Sequence, residues 1–163
     1  MASNLVVGNH VVVVDDEDVD FCQSLNLEIV NKTRHKKKKL YAVHRVRYGG
    51  KTARFSLHRL LMKVVDKNVL VDHRNGDSLD CRKSNLRIAT HQQNVASAAP
   101  AAGKTSKYKG VHFSTKLGKW VACISFNRKR QYLGSFNSEL EAAKAYQEQA
   151  KKYHGEYAWT GEL

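Results

Sequence analysis

Between Val71 and Asn94 the chain reads VDHRNGDSLDCRKSNLRIATHQQN. Two short extended runs, VLVDH and LRIAT, flank a polar loop, and a run of helical character, THQQNVASA, follows the second. That order is restrictive. Neighbouring side chains on a strand point to opposite faces, so Asp72 and His73 can share one site only where the strand ends or twists. Asn75-Gly76 is a turn pair that permits such an end. The residue types are restrictive as well. Asp72 offers a carboxylate and Asn94 an amide oxygen, both hard ligands for a cation such as Mg²⁺. His73 can accept a proton near neutral pH. Asn85, in the connecting loop, is placed to hold the His73 ring through its other nitrogen and fix the tautomer. Together these side chains answer the needs of phosphodiester hydrolysis: a deprotonated water, a neutralised phosphate and a stabilised leaving oxygen. His91, one turn before Asn94, suits either a phosphate contact or simple packing.

Charge points to the partner. The 163 residues carry 28 Lys and Arg against 15 Asp and Glu, a formal net charge of +13, and the pI is about 9.8. An excess of this size favours a polyanion, either nucleic acid or an acidic membrane face. No run approaches the roughly 18 apolar residues of a membrane span. The opening MASNLVVGNH has no charged leader before a long apolar core, so a protein that is not secreted and stays in the cytoplasm is expected. Cys22, Cys81 and Cys123 are far apart and form no C-x-x-C pair, which argues against a disulfide framework and a thiolate zinc site.

Along the chain, Val11 to Val14 reads as a short buried strand, and the acids Asp15, Asp16, Glu17 and Asp18 as a solvated turn rather than a metal site. Lys36, Lys37, Lys38 and Lys39, in the cluster RHKKKK, are candidate phosphate contacts. Residues 40–57 form a hairpin about Gly49-Gly50, with Arg45, Arg47, Lys51 and Arg54 giving a basic face. Arg74 and Arg87, within the central segment, join the expected DNA contacts. His44 and His58 read as structural or phosphate-facing, and HRLLMKVV as an apolar helix covering the motif. Residues 96–106 are small and contain the one proline, Pro100, as a linker would. Beyond them GVHFST, KWVACISFN and KRQYLGSF read as three strands, the second alternating Trp120, Ala122, Ile124 and Phe126 with smaller or polar residues. SELE at 138–141 is a capping box opening an amphipathic helix that stops at Gly155. The fold class expected is α+β.

VDHRNGDSLDCRKSNLRIATHQQNV resembles the HNH homing endonucleases of phages, and VVVVDDED, YAVHRVRYGG and LHRLLM are similar to the region preceding the motif there. The resemblance implies a ββα-metal core. In it His73 is the general base, Asn85 orients His73, and Asp72 with Asn94 binds one divalent ion. That ion is Mg²⁺, with Mn²⁺ tolerated and no zinc. The later stretch YKGVHFSTKLGKWVACISFNRKRQYLGSFNSELEAAKAYQEQAKKYHGEYA is similar to the AP-two/ERF-type DNA-binding domain. That likeness implies a three-stranded sheet, backed by one helix, that reads DNA through Lys109, His112, Ser114, Lys116, Cys123, Ser125, Arg130 and Tyr132. Several arginines of the plant domain are replaced here by His, Ser and Lys, and a central Glu by Cys123. Because Arg–guanine pairs dominate base readout, a different target is expected. The implied organisation is a nuclease domain over 1–95, a linker over 96–106 and a reading domain over 107–157. The implied activity is metal-dependent nicking of double-stranded DNA in a phage-infected bacterial cell. The protein would act as a monomer, with dimers on DNA as an option, and without a membrane partner. A non-cleaving DNA-binding regulator on the same scaffold is the alternative, and charge alone also admits an RNA-binding protein.

Overall fold

The computed structural model describes residues 1–34, 37–100, 103–159 and 161, with no account of the side chains of 33, 34, 37 and 38. It is a mixed α+β arrangement of several antiparallel sheets and few helices. The chain divides after Ala89 into two compact units.

In the first unit, β1 (Ala2–Val7) and β2 (His10–Asp15) form an antiparallel hairpin. Its alternation buries Leu5, Val12 and Val14. A 3-10 turn and α1 (Val19–Ser24) lead into a three-stranded antiparallel sheet of β3 (Leu27–Arg34), β4 (Lys37–Tyr48) and β5 (Lys51–Ser56), with β4 central. The turn between β4 and β5 needs its glycines: Gly49 and Gly50 sit at φ 56° and 74°, the left-handed pair that matches strand twist in a two-residue hairpin. β3 was not apparent from the sequence; it enlarges the expected 40–57 hairpin. The covering helix is shorter than HRLLMKVV suggests. α2 spans Leu57–Leu61, and the chain leaves helical geometry at Lys63, φ 54°. β6 (Leu70–His73) then pairs antiparallel with β7 (Leu86–Ala89). One core joins Leu5, Val12, Val14, Cys22, Ala42, Leu57, Leu61, Cys81 and Leu86.

The acidic turn has an internal partner. Lys83 Nζ donates to Glu17 and Asp18, at 2.6 and 2.9 Å, and its backbone N–H to Asp15 at 2.8 Å. β2 also takes the 79–81 loop as an added strand, through Val13 N–H to Leu79 O and Cys81 N–H to Val13 O. The turn therefore ties the amino-terminal hairpin to the loop between β6 and β7.

The second unit opens with α3 (His91–Ser97) and continues with β8 (Val111–Ser114), β9 (Lys119–Phe126), β10 (Lys129–Phe136) and α4 (Glu139–His154). The strands form one antiparallel sheet with β9 central. Ala122 and Ile124 of β9 pack with Ala142, Ala143, Tyr146 and Ala150 of α4. Ser138 caps α4 by accepting from Glu141 N–H at 3.1 Å. Gly110 is fixed by close approach as well as by φ 72°: a Cβ there would lie 2.1 Å from the Tyr146 ring and 2.6 Å from the Cys123 carbonyl. The stretch expected as a 96–106 linker is engaged at both ends, because Ala96 and Ser106 are buried and Ser106 Oγ donates to Glu139 at 2.7 Å. Among the described residues, no helix is long and apolar enough to cross a membrane.

Candidate functional site

Register places the first two candidates. Asp72 lies opposite Arg87 and His73 opposite Leu86 across β6 and β7. Both Arg87 Nε and Nη2 donate to Asp72 Oδ2, at 3.1 and 2.9 Å, with the side chains only 7% and 13% exposed for Arg and Asp. Arg87 is thus a correction to the expected DNA contacts: it is buried against the carboxylate that was expected to hold a metal. Both bonds fall on Oδ2.

His73 takes the opposite face of β6, as strand alternation requires. It is 8% exposed, and its Nε2 is buried without a hydrogen-bond partner. The His58 ring stands edge-on to it at 5.0 Å between centroids, and the Tyr41 ring lies 6.4 Å away. Burial holds the His73 imidazole below its ordinary pKa against the opposing pull of Asp72. His58 is pushed down to about 3, first by burial and then by His73, Lys32 and Arg59. Burial thus favours the neutral form of the His73 imidazole.

Asn85 does not hold the His73 ring. Its Nδ2 donates to Asn75 Oδ1 and to the Asp80 carbonyl, at 3.0 and 2.8 Å, while its Oδ1 accepts from Asn75 N–H at 3.0 Å. The amide is consumed in closing the 75–85 loop, and only its backbone acts near His73, through Arg74 N–H to Asn85 O at 2.8 Å. Asn75 Nδ2 in turn donates to Asp80 Oδ2 at 2.9 Å, and Arg82 clamps the same carboxylate.

Asn94 lies on α3, in the second unit, half-buried and with no side-chain partner among the described residues; His91 is exposed. Thr90 and Gln93 close a capping box at the start of α3. The T-x-x-Q spacing that signals it was open to view in the sequence. Among the described residues, no three His, Cys, Asp or Glu side chains cluster as a metal site.

The basic residues fall into two sets. On the first unit's sheet, Lys32 faces Lys39 and Arg45 faces Arg54 in register. Strand alternation puts Tyr41 and Arg47 on the same face. Lys32 Nζ sits 5.3 Å above the Tyr41 ring, so cations border the aromatic ring that lies against His58 and His73. Lys36 and the side chains of Lys37 and Lys38 lie outside the described residues. Glu28, which sequence reasoning missed, binds Arg54 Nε and lies 3.6 Å from Arg45 Nη1. Arg47 and Arg74 are exposed.

In the second unit, register sets His112 opposite Val121, Tyr132 opposite Cys123 and Arg130 opposite Ser125. Alternation adds Ser114, so all of these lie on the sheet face away from α4. Arg130, Tyr132 and Ser125 are exposed, and Lys116 projects from the exposed β8–β9 turn. Lys109 is placed otherwise. Its ammonium donates to the carbonyls of Val95, Ala96 and Ala98 at 2.7, 2.6 and 2.6 Å. Burial lowers its pKa to about 8. It ends α3 instead of facing outward with the sheet residues.

Residues 63–96 match a family model described as HNH endonuclease. The chain is 40% identical over 52 residues to the AP2-like ethylene-responsive transcription factor TOE2 of Arabidopsis thaliana, covering 32% of this chain and 11% of that protein. It is 43% identical over 63 residues to the AP2/ERF and B3 domain-containing protein Os01g0141000 of Oryza sativa subsp. japonica, covering 39% and 17%. It is 44% identical over 57 residues to the ethylene-responsive transcription factor WRI1 of Arabidopsis thaliana, covering 34% and 13%. The chain thus spans under a fifth of the length of each of these relatives. No solved structure matched it.

Proposed function

We propose that the protein is a metal-dependent DNA endonuclease of homing type, in which the HNH segment cuts and the AP2-like sheet selects the site. The observation that carries this reading is His73: buried, neutral, unpartnered at Nε2, inside the matched segment and beside the basic sheet face. A neutral imidazole held this way accepts a proton from the attacking water. Lys39, Arg45, Arg47 and Arg54 hold the phosphate backbone, and Asn85 keeps the loop that follows His73 in shape. The ligand chemistry suits a hard divalent ion, Mg²⁺ or Mn²⁺. Asp72, which Arg87 holds in place through Oδ2, and Asn94 are the oxygen ligands proposed for it. When bound, such an ion supplies charge neutralisation at the phosphate and stabilises the leaving oxygen. The set of residues serves one strand at a time, so a monomer nicks. A phage origin accords with the same reading.

The test is plasmid cleavage in Mg²⁺ or Mn²⁺ by the wild type and by His73→Ala. Nicking by the first alone is expected; equal cutting by both, or none by the wild type on DNA that it binds, refutes the reading. The buried Asp72–Arg87 pair favours one alternative, a sequence-specific binder that does not cut. It is recognised by tight binding in chelator with no nicking in metal.

A further inference from the structure

The HNH match ends at residue 96, yet the compact units part after Ala89. The last seven matched residues, which include Asn94, therefore fold with the AP2-like sheet. Three contacts hold them there. Lys109 Nζ gathers three carbonyls at the end of α3, Trp159 N–H donates to the Ala96 carbonyl at 3.2 Å, and Ala96 is buried. α3 has only seven residues, too few for a stable helix in water without tertiary support.

We infer that Lys109 is a positioning residue that locks the Asn94-bearing helix to the DNA-reading sheet, making the two one rigid body. The inference rests on the proposed nuclease reading for its functional consequence but not for its structural one. A lysine at the edge of a DNA-reading sheet would ordinarily be spent on phosphate or base; here its three donors are spent on α3. Docking of the sheet on DNA then carries Asn94 with it, at a fixed offset from the bound sequence.

The full-length protein tests this through three readouts. In the wild type, amides of Asn94 to Ser97 should exchange with protection like that of β9; free exchange there refutes the clamp without any variant. In Lys109→Met, that protection should fall at least tenfold while tryptophan fluorescence shows the second unit folded, and Lys109→Arg should restore part of it. DNA affinity of Lys109→Met in chelator should stay within about twofold. A loss of affinity with a salt slope reduced by about one would make Lys109 a phosphate contact and overturn the inference. In metal, Lys109→Met should lower kcat at unchanged KM and scatter the cut positions; unchanged rate and position overturn the functional half. If the wild type does not cut at all, the nuclease reading fails while the exchange and binding arms still decide the clamp.

Discussion

The neutral His58 has a measurable cost in acid. Its pKa is near 3, against an ordinary value of 6.5, with burial the first cause and His73, Lys32 and Arg59 the others. Between those two values the unfolded chain binds a proton that the native state does not, so native stability falls as pH drops. The contribution is whole above pH 6.5 and erodes steadily below it. At pH 5 the loss is about 1.5 pH units' worth, roughly 2 kcal/mol at 1.36 kcal/mol per unit. His58→Phe keeps a ring against Tyr41 and His73 but has nothing to protonate. The difference in unfolding free energy between pH 7 and pH 5 should therefore be about 2 kcal/mol smaller in the variant. Both tryptophans, Trp120 and Trp159, lie in the second unit. The first unit is best followed by native-state hydrogen exchange at Val71 to His73 in graded urea, with tryptophan fluorescence as the control that should not respond. The same pH dependence in wild type and variant would show that His58 is not held neutral by its surroundings, and would remove the argument that this pocket keeps imidazoles uncharged.

Other perturbations probe other joints. Arg87→Met strands the Asp72 carboxylate, and breaking a buried pair of this kind costs about 3–5 kcal/mol; urea unfolding should show it, and Asp72→Asn added to Arg87→Met should recover much of the loss. Gly110→Ala drives a methyl into the Tyr146 ring and the Cys123 carbonyl at positive φ, so a loss above about 3 kcal/mol is expected in fluorescence-detected unfolding. Glu28→Gln releases Arg45 and Arg54 to DNA: affinity should rise, and the slope of log affinity against log salt should steepen by up to about two. Equal binding by Glu28→Gln and wild type across salt would mean the sheet face does not meet DNA.

Legibility followed sequence distance. Contacts set within a few residues were plain from the chain: the Gly49-Gly50 hairpin, the alternation of Trp120, Ala122, Ile124 and Phe126, and the Ser138 cap. Roles that depend on which residue faces which across a register were not. Asp72 and Arg87 are fifteen residues apart, and their pairing follows only once β6 and β7 are aligned. Asn85 is placed at His73 by its position in the connecting loop and by the HNH resemblance, but an amide with two donors and an acceptor is better satisfied by Asn75 and the Asp80 carbonyl. Lys109 is a DNA-reading residue only by resemblance to the AP-two/ERF-type domain, and its three carbonyl partners lie more than ten residues earlier. β3 was hidden because Leu27 to Arg34 lacks clean alternation; β4 imposes its strand character from outside.

The Asn75-Gly76 turn has a chemical lifetime as well as a shape. An asparagine before glycine can cyclise when the glycine nitrogen attacks the side-chain amide carbon and expels ammonia, and water then opens the succinimide to aspartate or to isoaspartate, each with a new carboxylate. Here Gly76 N–H is engaged by the His73 carbonyl at 3.0 Å, and the Asn75 amide by Asp80, Asp77 and Asn85. Both reacting groups are occupied while the loop is closed. Ageing at Asn75 therefore runs mainly in molecules whose loop has opened. Each event sets a new negative charge against Asp80, so damage at this turn records how often the loop beside His73 has come apart.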